Sequence, residues 1–122
     1  MVTNKMKHAY LIIAHNELKI LQLLISALDD ERNDIYVHID KKASFDGTML
    51  QTVKSGLHVL PVRIDARWGD FSLVEIELLL FHEAYFHGPY AYYHLLSGVD
   101  LPVKSQDYIH RYCDEHQGKE FI

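Results

Sequence analysis

The sequence predicts an α/β fold in a single domain, a mostly parallel sheet with helices on both faces. Three observations lead there. Ala9-Tyr10-Leu11-Ile12-Ile13-Ala14 is apolar throughout, as a strand covered on both faces requires, instead of alternating with polar residues. Segments with apolar residues at helical spacing follow such strand-like runs in turn, the pattern of βα units. Polar and glycine-bearing residues collect just after the runs, where an open parallel sheet builds its binding crevice.

Each element has its own signal. After the first strand, Glu17 to Leu28 places Leu18, Leu21, Leu24, Ile25 and Leu28 on one helical face. Asp34-Ile35-Tyr36-Val37-His38-Ile39-Asp40 is rich in β-formers and predicts the second strand. A polar stretch containing Gly47 leads to a short predicted helix from Thr48 to Lys54, closed by Ser55-Gly56. Leu57 to Leu60 is a brief third strand stopped by Pro61, and a polar connection runs from Val62 to Gly69. Ser72 suits the N-cap of the longest helical pattern. Leu73, Ile76, Leu80 and Ala84 line its stripe, and Val74, Leu78, Leu79, Phe81 and Tyr85 widen it, which predicts burial over much of its circumference. Gly88-Pro89 ends this helix, and Tyr90 to Leu96 predicts the fourth strand. Ser105 caps a helix over 106–116, and Lys119 to Ile122 predicts a fifth strand. The resulting βαβαβαβαβ order demands right-handed crossovers and leaves the sheet incomplete at the C-terminus.

Composition narrows the function. The 122 residues carry 12 Lys+Arg against 17 Asp+Glu, a net charge of −5, with no basic run. That excludes the clustered positive charge a nucleic-acid partner needs. With 48% hydrophobic residues the chain can build a core, and disorder is excluded. The single cysteine, Cys113, makes no intrachain disulfide. No stretch approaches the roughly 20 apolar residues of a membrane span, and the polar start lacks a signal peptide. A cytoplasmic location follows, with peripheral attachment at the inner face of a membrane as the alternative.

Several motifs fail. His82 and His87 are five residues apart, about 140° around a helix, so they cannot clamp one zinc ion. No Cys-x-x-Cys, Asp-x-Asp, phosphate-binding loop or Gly-rich dinucleotide fingerprint occurs, and Ser97-Gly98 lacks the glycines of a nucleophile elbow. What remains is a constellation suited to a nucleoside, in which Asp40 accepts from a ribose or base edge and Trp68 stacks. Each member has a plainer role available. Trp68 also reads as a core aromatic, Asp40 as a strand-end turn residue and Asp100 as the cap of the Leu101-Pro102 turn. His15 and His38 read as strand-end histidines, and Lys41, Lys42 and Lys104 as solvated.

At these same positions the sequence resembles the core-2/I-branching β-1,6-N-acetylglucosaminyltransferase family, glycosyltransferase family 14, which includes peptide O-xylosyltransferases. The resemblance rests on Ala9 to Asn16, on Tyr36-Val37-His38-Ile39-Asp40-Lys41-Lys42 and on Trp68-Gly69-Asp70-Phe71-Ser72-Leu73-Val74. Its most diagnostic block is Tyr92-Tyr93-His94-Leu95-Leu96-Ser97-Gly98-Val99-Asp100-Leu101-Pro102-Val103-Lys104-Ser105. The match is closest to bacterial members, which begin at the catalytic domain.

The resemblance implies a GT-A type fold and inverting transfer from a UDP-sugar, UDP-N-acetylglucosamine or UDP-xylose, to a glycan or protein hydroxyl. Carried over by position, His15, Asn16, Asp40, Trp68 and Ser72 lie around the nucleoside, and Ser97 and Asp100 face the diphosphate-sugar. His38, Gly69 and Gly98 complete the donor-binding set. No metal and no other cofactor is implied, since Ser97-Gly98-Val99-Asp100 carries one carboxylate where other GT-A enzymes have Asp-x-Asp. The family's catalytic glutamate and diphosphate-binding basic residues are expected downstream of Ile122, which makes this chain the N-terminal, nucleotide-binding half of a catalytic domain, inactive alone. The competing readings are a non-catalytic nucleotide- or sugar-binding module and a half-domain that assembles with a partner chain, or with itself through the sheet edge at Lys119 to Ile122.

Overall fold

The computed structural model describes residues 7–15, 17–67 and 71–97. The predicted helix over 106–116, the fifth strand with its self-association edge, and Cys113 lie outside those residues. The order is β1 (His8–Ala14), α1 (Leu18–Leu28), β2 (Asn33–Ile39), a 3-10 turn (Gly47–Met49), β3 (Gly56–Val59), α2 (Ser72–His87) and β4 (Tyr92–Ser97). The four strands form one sheet in the order β3-β2-β1-β4, and every pairing is parallel. β1 and β2 occupy the centre and are almost wholly buried, which is why their sequences are apolar without alternation.

The helices take opposite faces. α1 buries Leu21, Leu24, Ile25 and Leu28 against Tyr10, Ile12, Ile35 and Val37. α2 lays Ile76, Leu80 and Ala84 on Ala9, Leu11 and Tyr36. Its buried stripe is only that narrow: Leu78 is 59% exposed, Tyr85 72% and Phe86 76%. The expected burial around most of α2 is therefore corrected. A helix resting on one sheet is covered on one side only, and no described residue forms a second layer over its outer face.

A second expectation also changes. The predicted helix from Thr48 to Lys54 is a single 3-10 turn followed by an irregular run into β3. The reason is a competing acceptor: the backbone N–H groups of Val53, Lys54 and Ser55 all donate to the carboxylate of Asp29, at 2.6, 2.9 and 2.8 Å. Burial alone would raise the Asp29 pKa, but these donors outweigh it and hold the carboxyl below its ordinary range. Gly47 lets this segment close on the sheet, since a Cβ there would lie 2.6 Å from Val59 Cγ1.

Most polar groups on buried β2 find partners within the protein. Asn33 donates to Leu28 O at 2.8 Å, tying the end of α1 to the strand. Tyr36 donates to Tyr90, which donates to Asp34 Oδ2, both at 2.6 Å, and Lys7 Nζ donates to Asp34 Oδ1 at 2.8 Å. Burial drives both phenols up, Tyr36 to about 12. Burial would also raise Asp34, but the Lys7 and Tyr90 hydrogen bonds prevail and hold it low. His38, fully buried, accepts the Ile64 backbone N–H on Nε2 at 2.9 Å. That bond places the imidazole proton on Nδ1, which has no hydrogen-bond partner among the described residues.

Two outcomes follow from this polar spine. Tyr90→Phe leaves the Tyr36 hydroxyl and Asp34 Oδ2 unanswered and costs about 1–3 kcal/mol in urea denaturation, whereas a loss below about 0.5 kcal/mol would show the hydroxyl chain to be energetically idle. Burial depresses the folded-state pKa of His38 below 6.5, so the unfolded chain binds the extra proton first. Stability is then full above about pH 6.5 and declines as the pH falls through the folded-state pKa. Urea titrations between pH 7 and 5 give a shallower decline in His38→Gln, with a residual slope from His58, which burial and the neighbouring His87 also depress. An unchanged slope would mean that the His38 imidazole is not held neutral.

Candidate functional site

Because the strands are parallel, the residues after Ala14, Ile39, Val59 and Ser97 share one rim. Asp40 stands at its centre. Its backbone N–H continues the β1 ladder to Ala14 O at 2.8 Å, and its Oδ1 accepts the Lys42 N–H at 2.9 Å, closing the turn that follows β2. Oδ2 faces His15 Nδ1 and Lys42 Nζ, each at 3.2 Å. The side chain is 3% exposed, and burial alone would raise its pKa. The hydrogen bonds from Lys42 and His15 prevail and keep the carboxyl ionised below its ordinary range.

Lys42, read from sequence as solvated, is instead a hub. Besides Asp40, its ammonium donates to Asp65 Oδ1 and, at 2.6 Å, to Ala66 O, and the Asp65 hydrogen bond raises its pKa. Asp65 Oδ2 in turn accepts from Arg67 at 3.1 and 3.3 Å. Arg63 braces the same connection from behind, donating to Ile39 O, Asp40 O and Ala43 O. These ties hold the segment after β3 against the end of β2, through contacts of 20 or more residues' separation that local sequence does not display. Only the concentration of Asp65 and Arg67 in a polar connection hinted at them.

A cleft of about 390 Å³ opens beside this network, between the ends of β1 and β4 and the first turns of α2. Ile13, Leu73, Leu95 and Leu96 give it apolar walls, and His15, Arg67, Glu77 and Ser97 its polar groups. Its volume falls within the roughly 300–1,000 Å³ of small-molecule sites. Of the residues expected at a donor site, the rim brings together His15, Asp40 and Ser97. Ser72 is close by but buried, and its hydroxyl accepts the Arg67 N–H at 2.9 Å, fastening the loop to α2. His38 is internal and supports Ile64 from below, so it does not line the cleft. Asn16, Trp68, Gly69, Gly98 and Asp100 lie outside the described residues. Glu77 and Arg67 were not expected there; Glu77 sits on a helix whose apolar pattern gave it no distinction. Among the described residues no group of three or more His, Cys, Asp or Glu is arranged to hold a metal ion, and no helix is long and apolar enough to cross a membrane.

Comparison with known proteins agrees with this architecture. The chain is 23% identical over 128 residues to xylosyltransferase 1 of Pan troglodytes and to that of Homo sapiens, alignments covering all of this chain but 14% and 13% of those proteins. It is 22% identical over 120 residues to xylosyltransferase 2 of Canis lupus familiaris, covering 93% of this chain and 14% of the relative. The chain thus spans about one seventh of the length of the curated relatives it matches. The family model for the Core-2/I-Branching enzyme matches residues 8–122, so the chain belongs to that glycosyltransferase family.

Proposed function

We propose that this chain forms the nucleotide-binding portion of an inverting, metal-independent glycosyltransferase that takes its sugar from a UDP-sugar. The observation that carries the reading is the meeting of His15, Asp40, Arg67 and Ser97, from four separate connections, around one rim and its cleft in a member of this family. A parallel sheet of this kind receives ligands beyond the carboxyl ends of its strands.

Asp40 Oδ2 is the acceptor in this site best placed to change partners. Lys42 holds it at 3.2 Å but keeps Ala66 O at 2.6 Å as well as Asp65, so releasing Asp40 leaves the ammonium with two acceptors. An N–H or O–H of the base or ribose then takes the vacated position. In the transfer itself, the acceptor hydroxyl oxygen attacks the anomeric carbon while the bond from that carbon to the UDP phosphate oxygen breaks. UDP leaves with the bonding electrons and a carboxylate base takes the hydroxyl proton. Under this reading the chain supplies binding and orientation, and the base and the cations facing the diphosphate belong outside its described residues. The sugar moved is N-acetylglucosamine or xylose, and the acceptor a glycan or protein hydroxyl.

Asp40→Asn keeps an oxygen for the turn but removes the charge that draws a donor. Titration calorimetry is expected to show UDP affinity reduced about tenfold or more, the loss of one charge-assisted hydrogen bond. Unchanged affinity in a variant with an unchanged thermal midpoint would take Asp40 out of the binding site.

A further inference from the structure

We propose that Glu77 is the specificity-determining residue for the sugar half of the donor, accepting hydrogen bonds from its hydroxyl groups; this rests on the UDP-sugar reading above. Glu77 lies one turn into α2, half-buried on the wall of the 390 Å³ cleft, opposite Ser97 and His15. Its carboxylate makes no hydrogen bond or ion pair with any described residue. The contrast with its neighbours is sharp. Asp40 and Asp65 are each held by two cationic or imidazole partners, and Arg67, which also lines the cleft, pairs with Asp65 and not with Glu77.

A half-buried carboxylate carries four acceptor sites and has lost part of its water, so it favours a ligand that donates. Charge then selects among donors. A phosphate placed against Glu77 would be repelled, and a cationic ligand would meet Arg67 across the cleft. A neutral polyhydroxyl group satisfies both walls: its O–H groups donate to Glu77, while its oxygens accept from Arg67 or Ser97. The place along the rim agrees. Asp40 lies at the end of β2, whereas Glu77 faces the ends of β1 and β4, so a nucleoside held at Asp40 extends its far, sugar-bearing end towards Glu77.

The test is calorimetry on the 122-residue chain with UDP, UDP-N-acetylglucosamine and UDP-xylose, comparing wild type with Glu77→Gln at matched thermal midpoints. Neutralising Glu77 is expected to weaken the bound sugar nucleotide about five- to tenfold while leaving UDP unchanged, because only the sugar reaches it. Wild-type binding with equal sugar-nucleotide affinity in Glu77→Gln would overturn the role of Glu77 and leave the nucleotide site standing. An equal loss for UDP and UDP-sugar would place Glu77 on the nucleotide half and likewise overturn it. If wild type bound none of the three ligands, the donor-site reading itself would fall, and Glu77 with it.

Discussion

A strand buried on all seven of its residues has no water to satisfy its polar groups, and β2 carries Asn33, Asp34, Tyr36 and His38 within that span, with Asp40 just beyond. Each must find a partner inside the protein, because an unanswered buried donor or acceptor costs about 1–3 kcal/mol. The partners come from different segments: the end of α1, the chain before β1, the turn before β4, the connection after β3, and the loop after β1. Satisfying β2 therefore fixes where the rest of the chain passes. The hydrophobic layers on the two faces supply cohesion, but they are not directional; the polar spine decides register and loop placement.

The rim inherits this order. His38 and Arg63 hold the connection after β3 from beneath, and Ser72 holds it from the side of α2, so Asp65 and Arg67 emerge beside Asp40. The exposed ion pairs among Lys42, Asp65 and Arg67 add little stability, since solvent screens them. Their contribution is geometric: they set which oxygen of Asp40 closes the turn and which meets His15 and Lys42. The strand-end turn role open to Asp40 is thus the one that its Oδ1 fills.

The central elements were legible because their patterns are physical necessities. β1 and β2 had to be apolar runs, α1 had to repeat leucines at helical spacing, and Gly88-Pro89 had to end α2. Failures occurred where a distant group competes with a local preference. Residues 48–54 have helical potential, but Asp29, over twenty residues earlier, captures their N–H groups. The breadth of apolar residues on α2 was read correctly as hydrophobicity and wrongly as coverage, since a pattern does not reveal what lies opposite it. At the site, Asp40 and His15 were visible from their place after strands, and the motif resemblance pointed to them as well. Lys42, one of two adjacent lysines in a polar stretch, gave no sign of the three acceptors converging on it.

Under the UDP-sugar reading, charge at the cleft also constrains how a donor would be held there. Arg67 is the cation among the described residues lining the cleft and is already engaged with Asp65; Glu77 adds a negative charge that no described cation answers. Under the same reading, a diphosphate would find no uncommitted positive charge among the described lining residues, so binding by them would rest on hydrogen bonds to the base, ribose and sugar. Neutralising the phosphates would then fall to groups outside the described residues. On that reading the uncharged ends of the donor would meet the carboxylates of Asp40 and Glu77, while the bond between sugar and phosphate would remain open to cations and base from outside the described residues. Such a division would leave UDP alone a weak ligand and would make the Glu77 side of the cleft the place where one sugar is told from another.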